Sequence, residues 1–135
     1  GAYYVQSFEL NAAVILAGFA CGLISVAILV VNNLRDIDGD RKAAKKTLAV
    51  RFGRSFSITQ YLVCIFLAAL LPVLIYYFIE DHIKILFCSF LVFPAIRPIK
   101  TMISKTDGPS LNHALAQTGQ LLVIYSILFS IGWIL

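Results

Sequence analysis

Four apolar runs, each long enough to cross a lipid bilayer, constrain this chain more than any other feature. A spanning helix needs ~20 apolar residues to cover ~30 Å of hydrocarbon. The runs cover residues 10–34, 58–79, 83–102 and 114–135. Lipid offers the backbone no hydrogen-bond partner, so each run must satisfy its own N–H and C=O groups as a helix. The predicted fold class is all-α and integral to the membrane. Composition agrees, with 60% hydrophobic and only 13% charged residues, against about 25% charged in soluble domains. The third run is the weakest. Lys84, Arg97 and Lys100 lie near its ends, where long basic side chains can snorkel to the interface. Pro94 and Pro98 predict that it kinks or ends early. Ser110, after the Asp107-Gly108-Pro109 turn, is the expected cap of the fourth helix. The opening Gly-Ala-Tyr-Tyr lacks the basic segment of a signal peptide and reads as a loop within a longer chain.

The loops between the runs fix an orientation. Loop 35–57 holds seven Lys/Arg, and Arg97, Lys100 and Lys105 flank the 97–113 connection. The 80–84 turn holds only Lys84, beside Glu80 and Asp81. Ten of eleven basic residues therefore fall on one side, which the positive-inside rule makes cytoplasmic. Tyr3, Tyr4, Tyr76, Tyr77 and Trp133 fall at the opposite boundary, as an aromatic belt does. This topology accounts for the net charge of +4 without a nucleic-acid partner.

Few residues outside the loops carry chemistry. Cys21, Cys64 and Cys88 lie far apart in apolar runs, without ligand spacing, and read as small hydrophobes. Gln117 and Gln120 share a helix face near the cytoplasmic end of the fourth run. They either hydrogen-bond to another helix or line a polar cavity. His113 reads as a capping or interface residue rather than a base, and His82 lies on the outer side.

The chemistry concentrates at residues 32–54, NNLRDIDGDRKAAKKTLAVRFGR, which hold three of seven acidic and seven of eleven basic residues. Asn32, Asp36 and Asp40 are four apart. On a helix they drift only ~40° per step, so all three share one stripe, and Asp38 falls off it. Two carboxylates and an amide on one face need a positive charge between them. Hard oxygen ligands at this spacing suit Mg²⁺, which keeps waters and bridges to phosphate oxygens. Arg41, Lys42, Lys45, Lys46, Arg51 and Arg54 follow and can hold the same phosphate directly. Gly39 weakens the helix locally, which lets the loop close over a ligand. The competing reading is a solvated loop of ion pairs, and the regular spacing on the end of a spanning helix argues against it.

These residues also carry a resemblance. Asn32-Asn33-Leu34-Arg35-Asp36-Ile37-x-x-Asp40-Arg41, followed by Lys45-x-Thr47-Leu48-x-Val50-Arg51-x-Gly53, resembles the second aspartate-rich motif of the UbiA superfamily of intramembrane prenyltransferases. It is most similar to the branch of menaquinone synthesis that prenylates 1,4-dihydroxy-2-naphthoate. Gly-Ala-Tyr-Tyr-Val-Gln resembles that branch's G-T-Y-Y-x-Q segment. One departure is Ala44, where the family usually has Gly. The resemblance implies a nine-helix fold around a cavity open to lipid, of which this chain supplies the C-terminal part. The first aspartate-rich motif would lie on missing N-terminal helices, so the fragment alone is expected to be inactive and poorly stable. The implied substrates are a polyprenyl diphosphate and 1,4-dihydroxy-2-naphthoate, with Mg²⁺ as cofactor and diphosphate and CO2 as products. Asp36 and Asp40, assisted by Asn32, would hold the metal. Lys45 would contact the diphosphate first, with Arg41, Lys46 and Arg51 around it, and Arg35 could instead meet the acceptor's carboxylate. The implied location is the bacterial inner membrane, with membrane lipid around the helices.

Three alternatives compete. A relative acting on 4-hydroxybenzoate, homogentisate or haem would share the fold, but the Asn-Asn-x-Arg-Asp form and the Lys45-x-Thr47-Leu48 block argue against it. CDP-alcohol phosphatidyltransferases also use spaced aspartates, but their D-G-x-x-A-R opening is missing after Asp38-Gly39. A non-enzymatic membrane subunit with an anion-binding loop would need the summed positive charge and not the aspartates.

Overall fold

The computed structural model describes residues 2–8, 11–80 and 82–135. Its elements are α1 (Ala2–Ser7), α2 (Ala12–Arg35), α3 (Ile37–Lys42), α4 (Leu48–Ile79), a 3-10 helix (Ile83–Leu91), α5 (Val92–Ser104) and α6 (Gly108–Ile134), without strands among the described residues. Among the described residues, four stretches are long and apolar enough to cross a membrane: Ala12–Arg35, Leu48–Ile79, Ile83–Ser104 and Gly108–Ile134. The chain is thus an all-α, multi-pass membrane protein. Leu10, Asp81 and the side chain of Tyr3 lie outside the described residues.

The core follows from a seven-residue repeat of inward positions. Ala20, Ile24, Ala27, Val31 and Leu34 on α2 pack against Tyr61, Cys64, Ile65 and Ala68 on α4, and against Ala114, Leu121 and Tyr125 on α6. Alternating steps of three and four keep one seam turned inward, and the alanines let backbones approach closely. Large apolar side chains such as Phe19, Leu29, Phe66 and Ile127 remain exposed, as lipid-facing positions should. A hydroxyl pair crosses this interior, Tyr61 Oη and Thr118 Oγ1 at 3.0 Å, both residues buried. The three cysteines pack in or against the same core.

Three boundaries differ from the sequence expectations, each for a local reason. The second span starts at Leu48 instead of Ile58. Its first turns carry Arg51, Arg54, Ser55 and Ser57, which break the apolar run but not the helix, so the apolar run understates it. The third span does not end at its prolines but runs on to Ser104. It begins as a 3-10 helix and becomes α at Val92. Pro94 sits in the first turn of α5, where its missing N–H costs least. The fourth helix starts at Gly108, before Ala114, and its cap is Asp107, not Ser110. The Ser110 N–H donates to Asp107 Oδ2 at 2.9 Å. The Ser110 hydroxyl first, and this backbone N–H second, hold the Asp107 carboxyl below the usual carboxylate range.

At the far end from the charged block, Tyr76 and Tyr77 lie in the last turn of α4 and Trp133 near the end of α6. Trp133 stacks on His82 at 4.4 Å between ring centroids, so His82 packs against the bundle. Gly132 permits this approach. A Cβ there would stand 2.9 Å from backbone atoms of Lys84 and Ile85. Gly132→Ala is expected to destabilise the bundle by about 1–3 kcal/mol through overpacking. Gly119→Ala, with no atom within 4 Å of the added Cβ, should be neutral or slightly stabilising. Thermal unfolding in detergent separates the two, and equal melting temperatures would contradict the close contact.

Candidate functional site

The aspartate stripe keeps its helical register although the helix is interrupted. α2 ends at Arg35, Asp36 is the junction with φ −94° and ψ 7°, and α3 follows. Even so, the Asp36 N–H donates to the Asn32 carbonyl at 3.1 Å, and the Asp40 N–H to the Asp36 carbonyl at 2.8 Å. Two consecutive i→i−4 bonds therefore join Asn32, Asp36 and Asp40, as the four-residue spacing predicts. Asp38 is exposed off the stripe and pairs loosely with Arg41 at 3.6 Å.

Positive side chains sit on the stripe. The Arg35 guanidinium donates to both Asp36 oxygens at 2.7 Å, to Asn32 Oδ1 at 2.8 Å and to Asn112 Oδ1 on α6 at 2.7 Å. Its hydrogen bonds hold the Asp36 carboxyl below the usual carboxylate range. They outweigh the opposing effect of partial burial, and the charges of Arg35 and Lys45 add to them. The ion pair is intact above the ordinary carboxylate range and is lost only as pH falls through that lowered value. Asp40 is buried and pairs with Lys45 Nζ at 3.1 Å.

The Lys45 pairing has a local origin. The Lys45 N–H donates to the Asp40 carbonyl at 2.9 Å and the Ala44 N–H to the Arg41 carbonyl at 3.2 Å. This is a Schellman ending of α3, whose turning residue takes the left-handed conformation and is usually Gly. Ala44 fills that position with φ 55°. The departure at Ala44 thus falls where glycine is least strained, and Ala costs roughly 1 kcal/mol there. The turn folds Lys45 back over the carboxylate one helical turn earlier.

The next residues set the start of α4. Thr47 caps it, accepting from the Val50 N–H at 3.3 Å. Arg51 lies exposed on its first turns, as does Arg41 in the last turn of α3 and Lys46 on the loop between the two helices. Arg54 turns away and donates to the carbonyls of Met102 and Lys105 at the end of α5. It is an anchor between helices, in contrast to the phosphate contact expected from its place in the basic run. His113 does not cap α6 but lies within hydrogen-bond distance of Gln117, Nε2 to Nε2 at 3.1 Å.

Sequence reasoning missed Asn112, which meets Arg35 from 77 residues away. No periodicity or motif in the chain announces that contact. Among the described residues, no three His, Cys, Asp or Glu side chains gather into a metal cluster. A metal ion here would draw on two carboxylates and an amide, a donor set that fits Mg²⁺ because Mg²⁺ keeps waters and takes phosphate oxygens. The oxygens of Asn32 and Asp36 already converge on one cation, the guanidinium.

The UbiA prenyltransferase family pattern matches residues 1–115. Among curated proteins, the chain is 29% identical over 133 residues to the 1,4-dihydroxy-2-naphthoate octaprenyltransferase of Escherichia coli (strain K12). That alignment covers 98% of this chain and 43% of the relative. The protein of the same name from Haemophilus influenzae is 32% identical over 136 residues, covering 98% of this chain and 43% of the relative. The one from Mycobacterium leprae is 30% identical over 127 residues, covering 94% and 42%. The chain thus spans under half the length of these relatives. No solved structure matches it.

Proposed function

The chain belongs to the UbiA prenyltransferase family, and on that premise we propose that it is the C-terminal part of an enzyme that transfers a polyprenyl group from polyprenyl diphosphate to 1,4-dihydroxy-2-naphthoate. The observation that carries this reading is the Asn32–Asp36–Asp40 stripe, held in register by backbone hydrogen bonds and faced by Arg35 and Lys45. The names of the relatives supply the acceptor and the prenyl donor class.

Breaking the allylic C–O bond leaves a diphosphate that carries about three negative charges, so its departure needs electrostatic stabilisation. Asn32, Asp36 and Asp40 would hold Mg²⁺, which when bound neutralises charge on the departing diphosphate. Lys45 reaches the same anion from the turn after α3, with Arg41, Lys46 and Arg51 exposed nearby. Arg35 presents a planar fork suited to the acceptor's carboxylate. Apolar helix walls keep water from the allylic cation while the electron-rich ring attacks it. Leu16, Phe19, Leu23, Leu67, Leu71 and Leu74 form such a wall between α2 and α4. Loss of CO2 from the substituted ring carbon completes the product. Residues upstream in the full-length enzyme complete the site, so the chain alone is inactive. It sits in the bacterial inner membrane with the charged loop cytoplasmic.

The test is prenyl transfer by the full-length enzyme in membranes, offered polyprenyl diphosphate with 1,4-dihydroxy-2-naphthoate, 4-hydroxybenzoate or homogentisate. Mass spectrometry should find a prenylated, decarboxylated naphthalene product, dependent on Mg²⁺. Preference for another acceptor would overturn the substrate assignment, and no transfer to any would overturn the enzyme reading.

A further inference from the structure

Of the four hydrogen bonds that fix Arg35, three go to the stripe and one goes elsewhere. Asn32 and Asp36 supply the three, and Asn112 Oδ1 on α6 accepts the fourth at 2.7 Å. A guanidinium and a divalent cation compete for the same oxygen lone pairs, and their charges repel. An ion that takes Asn32 and Asp36 therefore strips Arg35 of three bonds and leaves it Asn112. Asn112 is neutral and stands on a separate helix. That helix is tied to α4 through Thr118 and Tyr61, so its place does not depend on the stripe.

We propose that Asn112 is a positioning residue: it keeps the Arg35 guanidinium beside the site when a metal ion claims Asn32 and Asp36, with the freed N–H donors turned to an oxyanion of substrate. The proposal rests on the prenyltransferase reading. A guanidinium has five donors in a rigid fork, so the three released from the stripe suffice for a bidentate grip on a carboxylate or a diphosphate. Without Asn112, the loaded state has no protein anchor for Arg35, whereas the metal-free state keeps three. The loss therefore falls on the loaded state.

The experiment uses the full-length enzyme in nanodiscs, with Mn²⁺ as the metal probe followed by electron paramagnetic resonance, beside steady-state kinetics. Asn112→Ala should leave Mn²⁺ binding within about threefold of the wild type, because the Arg35–Asn112 bond is made with or without the ion. It should raise KM for the substrate that Arg35 meets more than it lowers kcat. A raised KM for the aromatic acid identifies the carboxylate, and a raised KM for the prenyl donor identifies the diphosphate. Asn112→Asp keeps an acceptor oxygen in place and should restore that KM. Arg35→Ala removes the competitor and should tighten Mn²⁺ binding. A wild-type KM for both substrates in Asn112→Ala would overturn the proposal alone. So would a fall in kcat that only tracks lost thermal stability. A lost Mn²⁺ site in that variant would overturn it too, by making Asn112 a structural residue instead. Wild-type enzyme that neither binds Mn²⁺ nor prenylates an aromatic acceptor would overturn the prenyltransferase reading and this proposal with it.

Discussion

Asp36→Ala and Asp40→Ala in the full-length enzyme are each expected to lower prenyl transfer by at least about a hundredfold, the scale on which one stabiliser of developing charge matters. Asp38→Ala should leave the rate nearly unchanged. The three residues lie within five positions of one another in the same charged segment, so they separate two explanations cleanly. Under a purely electrostatic loop, removing any one aspartate makes the segment more basic by the same amount and should act alike. Under the stripe, position decides. Asp36 and Asp40 are joined to Asn32 by helical hydrogen bonds and carry the Arg35 and Lys45 contacts. Asp38 is 85% exposed, and its ion pair to Arg41 spans 3.6 Å. Removing Asp36 also leaves the Arg35 fork without its two shortest carboxylate contacts. Complementation of a menaquinone-deficient strain gives the first readout and transfer in isolated membranes the second. Equal activity in all three variants would sink the metal-site assignment.

Local geometry was legible in the sequence. The four-residue spacing of Asn32, Asp36 and Asp40 is enough to put them on one stripe, because helical register is a short-range property. The four spans were legible for the same reason, since lipid demands a long apolar helix. Other parts of the site depend on how chain ends turn and which helices meet. Asp107 and Ser110 are both good caps by residue type, and the choice between them rests on where the turn before α6 closes. The Asp40–Lys45 pair arises from a Schellman ending at Ala44, a residue type that does not advertise a left-handed conformation. Arg54 lies in a run of basic residues that looks uniform in sequence, yet it is drawn to the carbonyls at the end of α5 and away from the proposed anion site. The Arg35–Asn112 contact exists only because α2 and α6 are neighbours.

Gly53→Ala is expected to lower both stability and transfer, and it tests how the basic turn is aimed. Gly53 interrupts α4 with φ 80° and ψ −176°, a region open to glycine alone among the common residues. An added Cβ would meet no atom within 4 Å, so the penalty lies in the backbone and not in packing. Holding alanine there costs about 1–3 kcal/mol. The chain can avoid that strain by continuing α4 as a regular helix through residue 53. Either course has a consequence for the site. The buried Ser57 hydroxyl donates to the Gly53 carbonyl at 3.1 Å and stabilises the kink. On its far side, the first turn carries Arg51 and the Thr47 cap, and Lys45 precedes them on Asp40. Straightening the helix would redirect that turn and pull Lys45 from its carboxylate. The expected outcome is a lower melting temperature together with a roughly tenfold or greater rise in KM for polyprenyl diphosphate, on the scale of one lost charge-assisted contact. Ser57→Ala should show the same pattern more weakly. If Gly53→Ala melted and turned over as the wild type does, the kink would have no part in aiming the turn proposed to bind diphosphate. A loss of stability with an unchanged KM would assign Gly53 to the fold alone.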